Sequence, residues 1–174
     1  MNYSELLTNI RNYTEVDSNV FSDAVINTFI TMAENRILRD IDLDVFKKES
    51  YGTMTDGNRF LAAPSDILTH RYMFITVSDE KVYLDFRDTS FMKEYWPDPA
   101  TKGVPKYYSV WDQDTFYTAP TPDSNYTVQL GYIYRPTQLS SGNTTTWIST
   151  NAPEALLYAT LIQAYSYTKG PVEM

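Results

Sequence analysis

The sequence contains no cysteine, which excludes disulfide bridges, thiolate metal sites and thiol catalysis. Glycine is scarce, with 6 residues among 174, so little material is present for the glycine-rich loops that cradle phosphates. The one histidine, His70, has no partners at the spacing of a metal site, and we predict a structural or surface position for it. No apolar run approaches the about 18 residues that a membrane helix needs. The first residues show neither the basic nor the apolar part of a signal peptide, so we expect a product of a cytosol.

Basic residues are also few. Lysine and arginine total 14 against 22 aspartates and glutamates, which gives a net charge of −8. The only adjacent basic pair is Lys47-Lys48. A protein that grips DNA by its phosphates needs clustered lysine and arginine, so the charge disfavours a DNA-binding module. A repulsive surface remains compatible with DNA that passes by without being held.

Tyrosine is abundant, at 15 residues against 8 phenylalanines. A tyrosine buries its ring and keeps a polar tip, which suits half-buried strand faces and interfaces between subunits. A chain of this length buries roughly 70% of the surface that it exposes when unfolded, so a core forms without disulfide bridges or structural metals.

Hydrophobic spacing predicts helices at both ends of the chain. Residues 3–13 are predicted as a short helix with Ser4 as N-cap, and residues 21–40 as a longer helix capped by Ser22 or Asp17. The apolar stripe of the longer helix comprises Val25, Ile26, Phe29, Ile30, Ala33, Ile37 and Ile41. Its other face is predicted to carry Asn27, Thr31, Glu34, Asn35 and Arg39.

The middle of the chain is rich in β-forming residues. A hairpin is predicted over residues 45–62 around the turn signal Asp56-Gly57, and Ile67–His70 is predicted as a single helical turn. The remaining predicted elements are strands at 71–77 and 81–86, a short helix at 88–95, paired strands at 106–111 and 115–118, a strand at 126–134, and a helix from Pro153 to Gly170-Pro171.

These elements predict an α+β fold in a single domain over residues 1–174. The helical part comprises residues 1–44 and 151–170, and the β-rich insertion comprises residues 45–150. The N-terminal helices and the closing C-terminal helix are predicted to pack together, with an antiparallel β-rich region inserted between them.

No constellation of residues predicts catalysis, a metal or a cofactor. Asp40, Asp42 and Asp44 alternate, but the glycine and the closing glutamate of a calcium loop are missing. The paired carboxylates of Asp112-Gln113-Asp114 lie between two predicted strands, which favours a hairpin turn. No nucleophile elbow or phosphate loop is present. A carbohydrate-binding or glycoside-cleaving module stays open as an alternative, because aromatic strands and many carboxylates coexist and a catalytic pair can come from distant segments. Loss of sugar binding on mutation of Trp111 or Trp147 would favour it.

Six segments occur in a recognisable order along the chain. They are Ala33-Glu34-Asn35-Arg36-Ile37, Leu61-Ala62-Ala63-Pro64-Ser65-Asp66, Pro105-Lys106-Tyr107-Tyr108, Ala119-Pro120-Thr121-Pro122-Asp123, Tyr132-Ile133-Tyr134-Arg135-Pro136 and Pro153-Glu154-Ala155-Leu156-Leu157-Tyr158. Their order, over residues 21–168, resembles that of the head-to-tail adaptor (connector) proteins of tailed bacteriophages, especially those of short-tailed and marine phages.

This resemblance implies a structural protein of the virion that performs no reaction. Such adaptors form a ring, commonly of twelve copies, beneath the portal protein at the head–tail junction. The ring extends the channel through which genomic DNA passes without specific binding, and it offers the tail nozzle or tube its attachment surface. No membrane is involved, and assembly takes place in the host cytoplasm. Members often continue past the closing helix with a basic extension that contacts the portal, whereas this sequence ends at Met174.

A ring contact uses two different patches on each subunit. We predict one patch on the helices and the other on the β region. The candidate partner-binding residues are Tyr165, Tyr167 and Lys169 on the closing helix, and Asp112, Gln113 and Asp114 in the β region.

Overall fold

The computed structural model describes residues 1–41 and 43–169, except for the side chain of Lys169. The described residues form an α+β fold, as the sequence predicts. The chain divides into two compact units: a helical unit, Met1–Leu43 with Pro136–Met174, and a β unit, Asp44–Arg135. The division into one domain, with its boundaries at residues 44 and 151, stays a prediction.

Helices and strands follow in this order along the chain. The helices are α1 Tyr3–Thr14, α2 Asp23–Asp40, α3 Thr89–Tyr95, α4 Trp147–Asn151 and α5 Pro153–Lys169. The strands are β1 Lys47–Met54, β2 Phe60–Ala62, β3 Ile67–Val77, β4 Glu80–Phe86, β5 Lys102–Gly103, β6 Tyr107–Asp112, β7 Thr115–Ala119, β8 Thr121–Pro122 and β9 Tyr126–Tyr134. A single 3-10 turn, Asp44–Phe46, precedes β1.

In the helical unit, α5 packs against both α1 and α2, as predicted for the helices from the two ends of the chain. The N-cap of α1 is Asn2, so the prediction of Ser4 is wrong. The Asn2 side chain accepts a hydrogen bond from the Glu5 amide (2.9 Å), and the Glu5 carboxylate accepts one from the Asn2 amide (2.8 Å). This reciprocal pair satisfies two backbone amides. With Ser4 as the N-cap, the residue three positions later would be Leu7, whose side chain cannot accept the second hydrogen bond. The buried core of the unit includes Leu6, Ile10, Phe21, Ile26, Ile30, Leu156 and Leu161.

Glu34 is buried, although the sequence places it on the polar face of α2. Its carboxylate accepts hydrogen bonds from the Leu139 amide (3.1 Å) and the Thr146 hydroxyl (3.4 Å). It therefore fastens the loop before α4 to α2, a role that helical periodicity does not reveal. Burial raises the pKa of Glu34 above 4.5, and the two hydrogen bonds offset part of that rise.

We expect the stability of the protein to depend on pH through Glu34. Because its folded-state pKa is raised, the stability it contributes is fully present below pH 4.5 and is lost as the pH rises through the folded-state pKa. Glu34→Gln keeps an acceptor for the Leu139 amide and removes the titration. Denaturant unfolding between pH 4 and pH 8 should show this variant gaining stability relative to wild type as the pH rises. Glu154→Gln, at an exposed position, is the control, and a pH-independent difference for Glu34→Gln would contradict the assignment.

The β unit holds a seven-stranded sheet in the order β1-β9-β3-β4-β6-β7-β2. All pairs are antiparallel except β4–β6, which is a short parallel contact. A small core cluster comprises Met92, Tyr117 and Ala119. A larger core cluster contains Met54 from one end of the strand order and Phe116 from near the other end, so the sheet curves around it. The same cluster includes Met73, Ile75, Leu84, Tyr108, Val128, Leu130 and Tyr132.

The predicted hairpin over residues 45–62 is wrong. The chain does turn at Asp56-Gly57, where Gly57 has a φ of 75°, but β1 pairs with β9 and β2 pairs with β7. The turn fixes only the local reversal. All eight residues of β1 have backbone partners on β9, whereas β2 is three residues long and could pair with only part of β1. The predicted helical turn at Ile67–His70 is also wrong, because these residues form the first part of β3 and pair with β9.

The other predicted β elements are present. β3 and β4 pair in antiparallel fashion, and β6 pairs with β7. Asp88 caps α3 by accepting a hydrogen bond from the Ser90 amide at 2.8 Å. The alternation of Tyr126, Val128, Leu130, Tyr132 and Tyr134 predicts one shared face of β9. The first four are buried and Tyr134 is half-buried.

Candidate partner-binding surfaces

The first candidate surface lies on α5. Between Glu154 and Lys169 this helix carries no charged residue. Its side chains are nevertheless not all covered, because Tyr158, Ile162 and Tyr165 are 56%, 53% and 41% exposed. Their spacing of four and three residues places them on one side of the helix, here named the α5 face. Large apolar and aromatic side chains exposed side by side on an uncharged face mark a surface that is suited to contact another protein.

The three predicted residues of α5 have different surroundings. Tyr165 lies on the α5 face, and its hydroxyl donates to the backbone oxygen of Tyr13 at 2.8 Å. Tyr167 is exposed, but its ring also packs against the edge of the core, with centroid distances of 5.4 Å to Phe29 and 6.1 Å to Phe21. The side chain of Lys169 lies outside the described residues, so its role stays a prediction. Tyr158 and Ile162 are not among the predicted residues, although the lack of charge along α5 is a sequence signal that points to them.

The second candidate surface is the hairpin between β6 and β7. Asp112-Gln113-Asp114 forms its turn and is exposed. One carboxylate oxygen of Asp112 accepts a hydrogen bond from the Asp114 amide (2.9 Å), and the backbone oxygen of Asp114 accepts one from the Ala63 amide (2.8 Å). The two carboxylates therefore belong to a turn, and the backbone bond to Ala63 fixes the turn beside the chain that follows β2.

A cavity of about 340 Å³ adjoins this turn. It forms where β4 separates from β3. Residues Met73–Val77 of β3 pair with β4, whereas the last two residues of β4, Asp85 and Phe86, pair with β6 instead. The first part of β3 thus faces the β6–β7 hairpin across a gap. This hairpin cavity is lined by Ala63, Ile67, Leu68, Thr69, His70, Val110, Asp112, Gln113, Thr115 and Phe116.

His70 lines the hairpin cavity and is half-buried. Its ring packs on the rings of Phe86, Tyr108 and Phe116, with centroid distances of 4.5, 5.5 and 6.1 Å. Burial lowers the pKa of His70 below 6.5, and the charge of Arg71 lowers it further, so the imidazole is neutral at pH 7. No local sequence signal could place His70 here, because the cavity arises from the parting of two strands.

Residues 1–41 and 43–169 contain no group of three histidine, aspartate or glutamate side chains placed to hold a metal ion. Asp40 pairs with Arg39, and Asp44 pairs with Lys47 at 3.0 Å. Asp42 lies outside the described residues. The same part of the chain has no helix with the length and apolar character needed to cross a membrane.

The two tryptophans whose mutation would test the carbohydrate alternative belong to different units. In the β unit, Trp111 stacks on Tyr117 with a centroid distance of 5.6 Å, and the ammonium of Lys93 lies 4.8 Å from the Trp111 centroid. Trp147 begins α4 in the helical unit. The Trp111 ring is thus engaged by Tyr117 and Lys93 within its own unit.

The uncharged, partly exposed face of α5 is the kind of surface that contacts other proteins. The family model for the SU10 adaptor protein matches residues 1–173, and the chain belongs to this family. No curated protein matches the sequence. The family supports a structural role in the virion as a phage head–tail adaptor, with contacts to portal and tail proteins in general. The short-tailed or marine type stays a prediction.

Proposed function

We propose that the protein forms a ring beneath the portal, extends the DNA channel and attaches the tail nozzle or tube, without performing a reaction. The α5 face carries this proposal, together with the family. Each chain has a net charge of −8, so copies packed side by side repel one another. A contact through the uncharged α5 face brings subunits together without burying a charge, whose desolvation would weaken the ring.

The charge of the chain also supports passage of DNA through the ring. Its 14 basic residues are outnumbered by 22 acidic ones, so counterion release at phosphates contributes little binding. A channel lined by such subunits lets DNA slide instead of holding it.

Ile162→Lys is expected to weaken assembly at least about tenfold, because it places an ammonium in a contact that excludes water. Ile162 is 53% exposed in the chain alone, so the substitution should leave the fold intact, within about 0.5 kcal/mol of the wild-type stability. Assembly is measured by native mass spectrometry of the chain mixed with its portal protein, since such rings can require the portal to form.

The matched control is Val20→Lys, which makes the same kind of change at a residue that is 56% exposed outside α5. We expect it to assemble like the wild type. Complexes of Ile162→Lys with wild-type stoichiometry and affinity would exclude the α5 face as the contact. An electron cryo-microscopy map of the tail vertex then tests the ring itself.

A further inference from the structure

We propose that the hairpin cavity receives an arginine side chain presented by a basic protein other than this chain. The identity of that protein as a neighbour at the head–tail junction rests on the proposed function. The presence of the arginine site does not, because it depends only on the β unit.

The walls of the cavity suit the aliphatic stem of an arginine. Ile67, Leu68, Val110 and Phe116 supply apolar surface. The volume of about 340 Å³ lies at the small end of the range of about 300–1,000 Å³ for ligand pockets, which fits one side chain better than a folded element. Arginine buries its methylene groups along apolar surface while its guanidinium stays at a polar rim.

The rim of the cavity offers acceptors for the guanidinium. One oxygen of the Asp112 carboxylate accepts from the Asp114 amide, and the other has no protein hydrogen-bond partner within the described part of the chain. The side chains of Gln113 and Thr115 also make no hydrogen bond to those residues. A guanidinium presents five donors in a planar fork, and a carboxylate is its strongest acceptor.

The charge of the residues that line the cavity favours a basic partner. None of the residues lining the cavity is a lysine or arginine, and Arg71, which follows His70 in β3, does not line it. The lowered pKa leaves His70 mostly neutral at pH 7, so among the residues that line the cavity only Asp112 carries a formal charge. The net charge of −8 makes a second copy a poor complement, whereas a basic segment of a different protein is attracted.

The single histidine makes the cavity directly observable by proton NMR. We would titrate the full chain at pH 7.5 with N-acetyl-arginine N-methylamide and follow the imidazole signal of His70. We expect a saturable shift with a dissociation constant on the order of 1–10 mM, as suits one side chain. The pKa of His70 should fall further when the probe is bound, because a nearby cation disfavours the imidazolium.

The neutral citrulline analogue is the matched ligand control and should bind at least about tenfold more weakly. Asp112→Asn keeps an acceptor for the Asp114 amide and removes the charge. We therefore expect about tenfold weaker binding of the arginine probe and an unchanged free energy of unfolding. Val110→Lys should abolish binding by placing an ammonium at the cavity. Asp79→Asn, in the turn at the opposite end of β3, should leave the affinity unchanged.

Absence of a saturable His70 shift would overturn the proposal, as would equal binding of the citrulline analogue or unaltered affinity in folded Asp112→Asn. A larger response to cellobiose than to the arginine probe would indicate a carbohydrate pocket instead. Because these titrations contain no portal protein, their failure is separate from failure of ring assembly, which the Ile162→Lys experiment reports.

Discussion

Replacing Arg59 with alanine is expected to lower the free energy of unfolding by about 3 kcal/mol, because several buried acceptors lose their donor at once. Arg59 is 6% exposed. Its guanidinium donates to the Tyr117 hydroxyl, to the Thr121 hydroxyl (3.0 and 3.1 Å) and to the backbone oxygen of Asp98 (3.1 Å). It also lies 5.1 Å from the centroid of the Tyr117 ring.

The guanidinium shape matters more than its charge at this position. Across residues 1–41 and 43–169, no carboxylate lies within ion-pair distance of Arg59, so neutral oxygens and an aromatic ring hold the cation. An ammonium carries its three donors on one nitrogen, so it cannot span the separated acceptors that the guanidinium fork reaches. We therefore expect Arg59→Lys to destabilise the protein as well, and Arg59→Met, which keeps apolar volume, to cost less than Arg59→Ala.

Urea unfolding followed by tryptophan fluorescence measures these changes. The matched control is Arg135→Ala, since the side chain of Arg135 is exposed and its backbone hydrogen bond to the oxygen of Asp66 survives the substitution. We expect that control to change stability by less than about 0.5 kcal/mol. Equal losses for Arg59→Ala and Arg135→Ala would show that the buried hydrogen bonds contribute no more than a surface side chain.

Gly131→Ala is expected to cost about 1–3 kcal/mol, because the added Cβ would overlap the Tyr72 ring. Tyr72 reaches from β3 across Gly131 of β9, and its hydroxyl donates to Glu49 of β1. Displacing the ring breaks that hydrogen bond and disturbs its contact with Phe74, whose centroid is 5.5 Å away. Glycine at 131 is thus required by the close approach of an aromatic ring.

The sign of the effect should change when the ring is removed. In a Tyr72→Ala background, Gly131→Ala should be neutral or stabilising by about 0.5–1 kcal/mol, since alanine loses less backbone entropy than glycine in a strand. Gly52→Ala in β1 is the control, because a Cβ there meets no atom within 4 Å. A double-mutant cycle of denaturant unfolding measures the coupling. The same cost for Gly131→Ala in both backgrounds would exclude the clash as its cause.

Local patterns along the chain predict most of its elements. Spacing of three and four residues marks α1 and α2, and alternation marks β9, because each pattern reflects one face turned toward a core. Strand pairing is less accessible to such patterns. The turn at Asp56-Gly57 is real, yet β1 and β2 diverge to β9 and β7, since partners far along the chain extend the backbone pairing of β1 over all eight of its residues.

The candidate surfaces divide in the same way. The α5 face can be predicted from the sequence, because α5 has no charge between Glu154 and Lys169. Only the structure shows that Tyr158 and Ile162 remain exposed. The hairpin cavity cannot be predicted from the sequence. His70 and Asp112 are 42 positions apart in sequence order and line one cavity only because β4 leaves β3 for β6.

By itself the sequence determined the α+β composition of the protein, its acidic charge and its lack of cysteine chemistry, because these depend on residue types and short-range spacing. The tertiary structure decided which strands pair, why Glu34 and Arg59 are buried, and where a cavity opens. These outcomes depend on contacts between segments distant in the chain, where burial and hydrogen-bond satisfaction outweigh local preference.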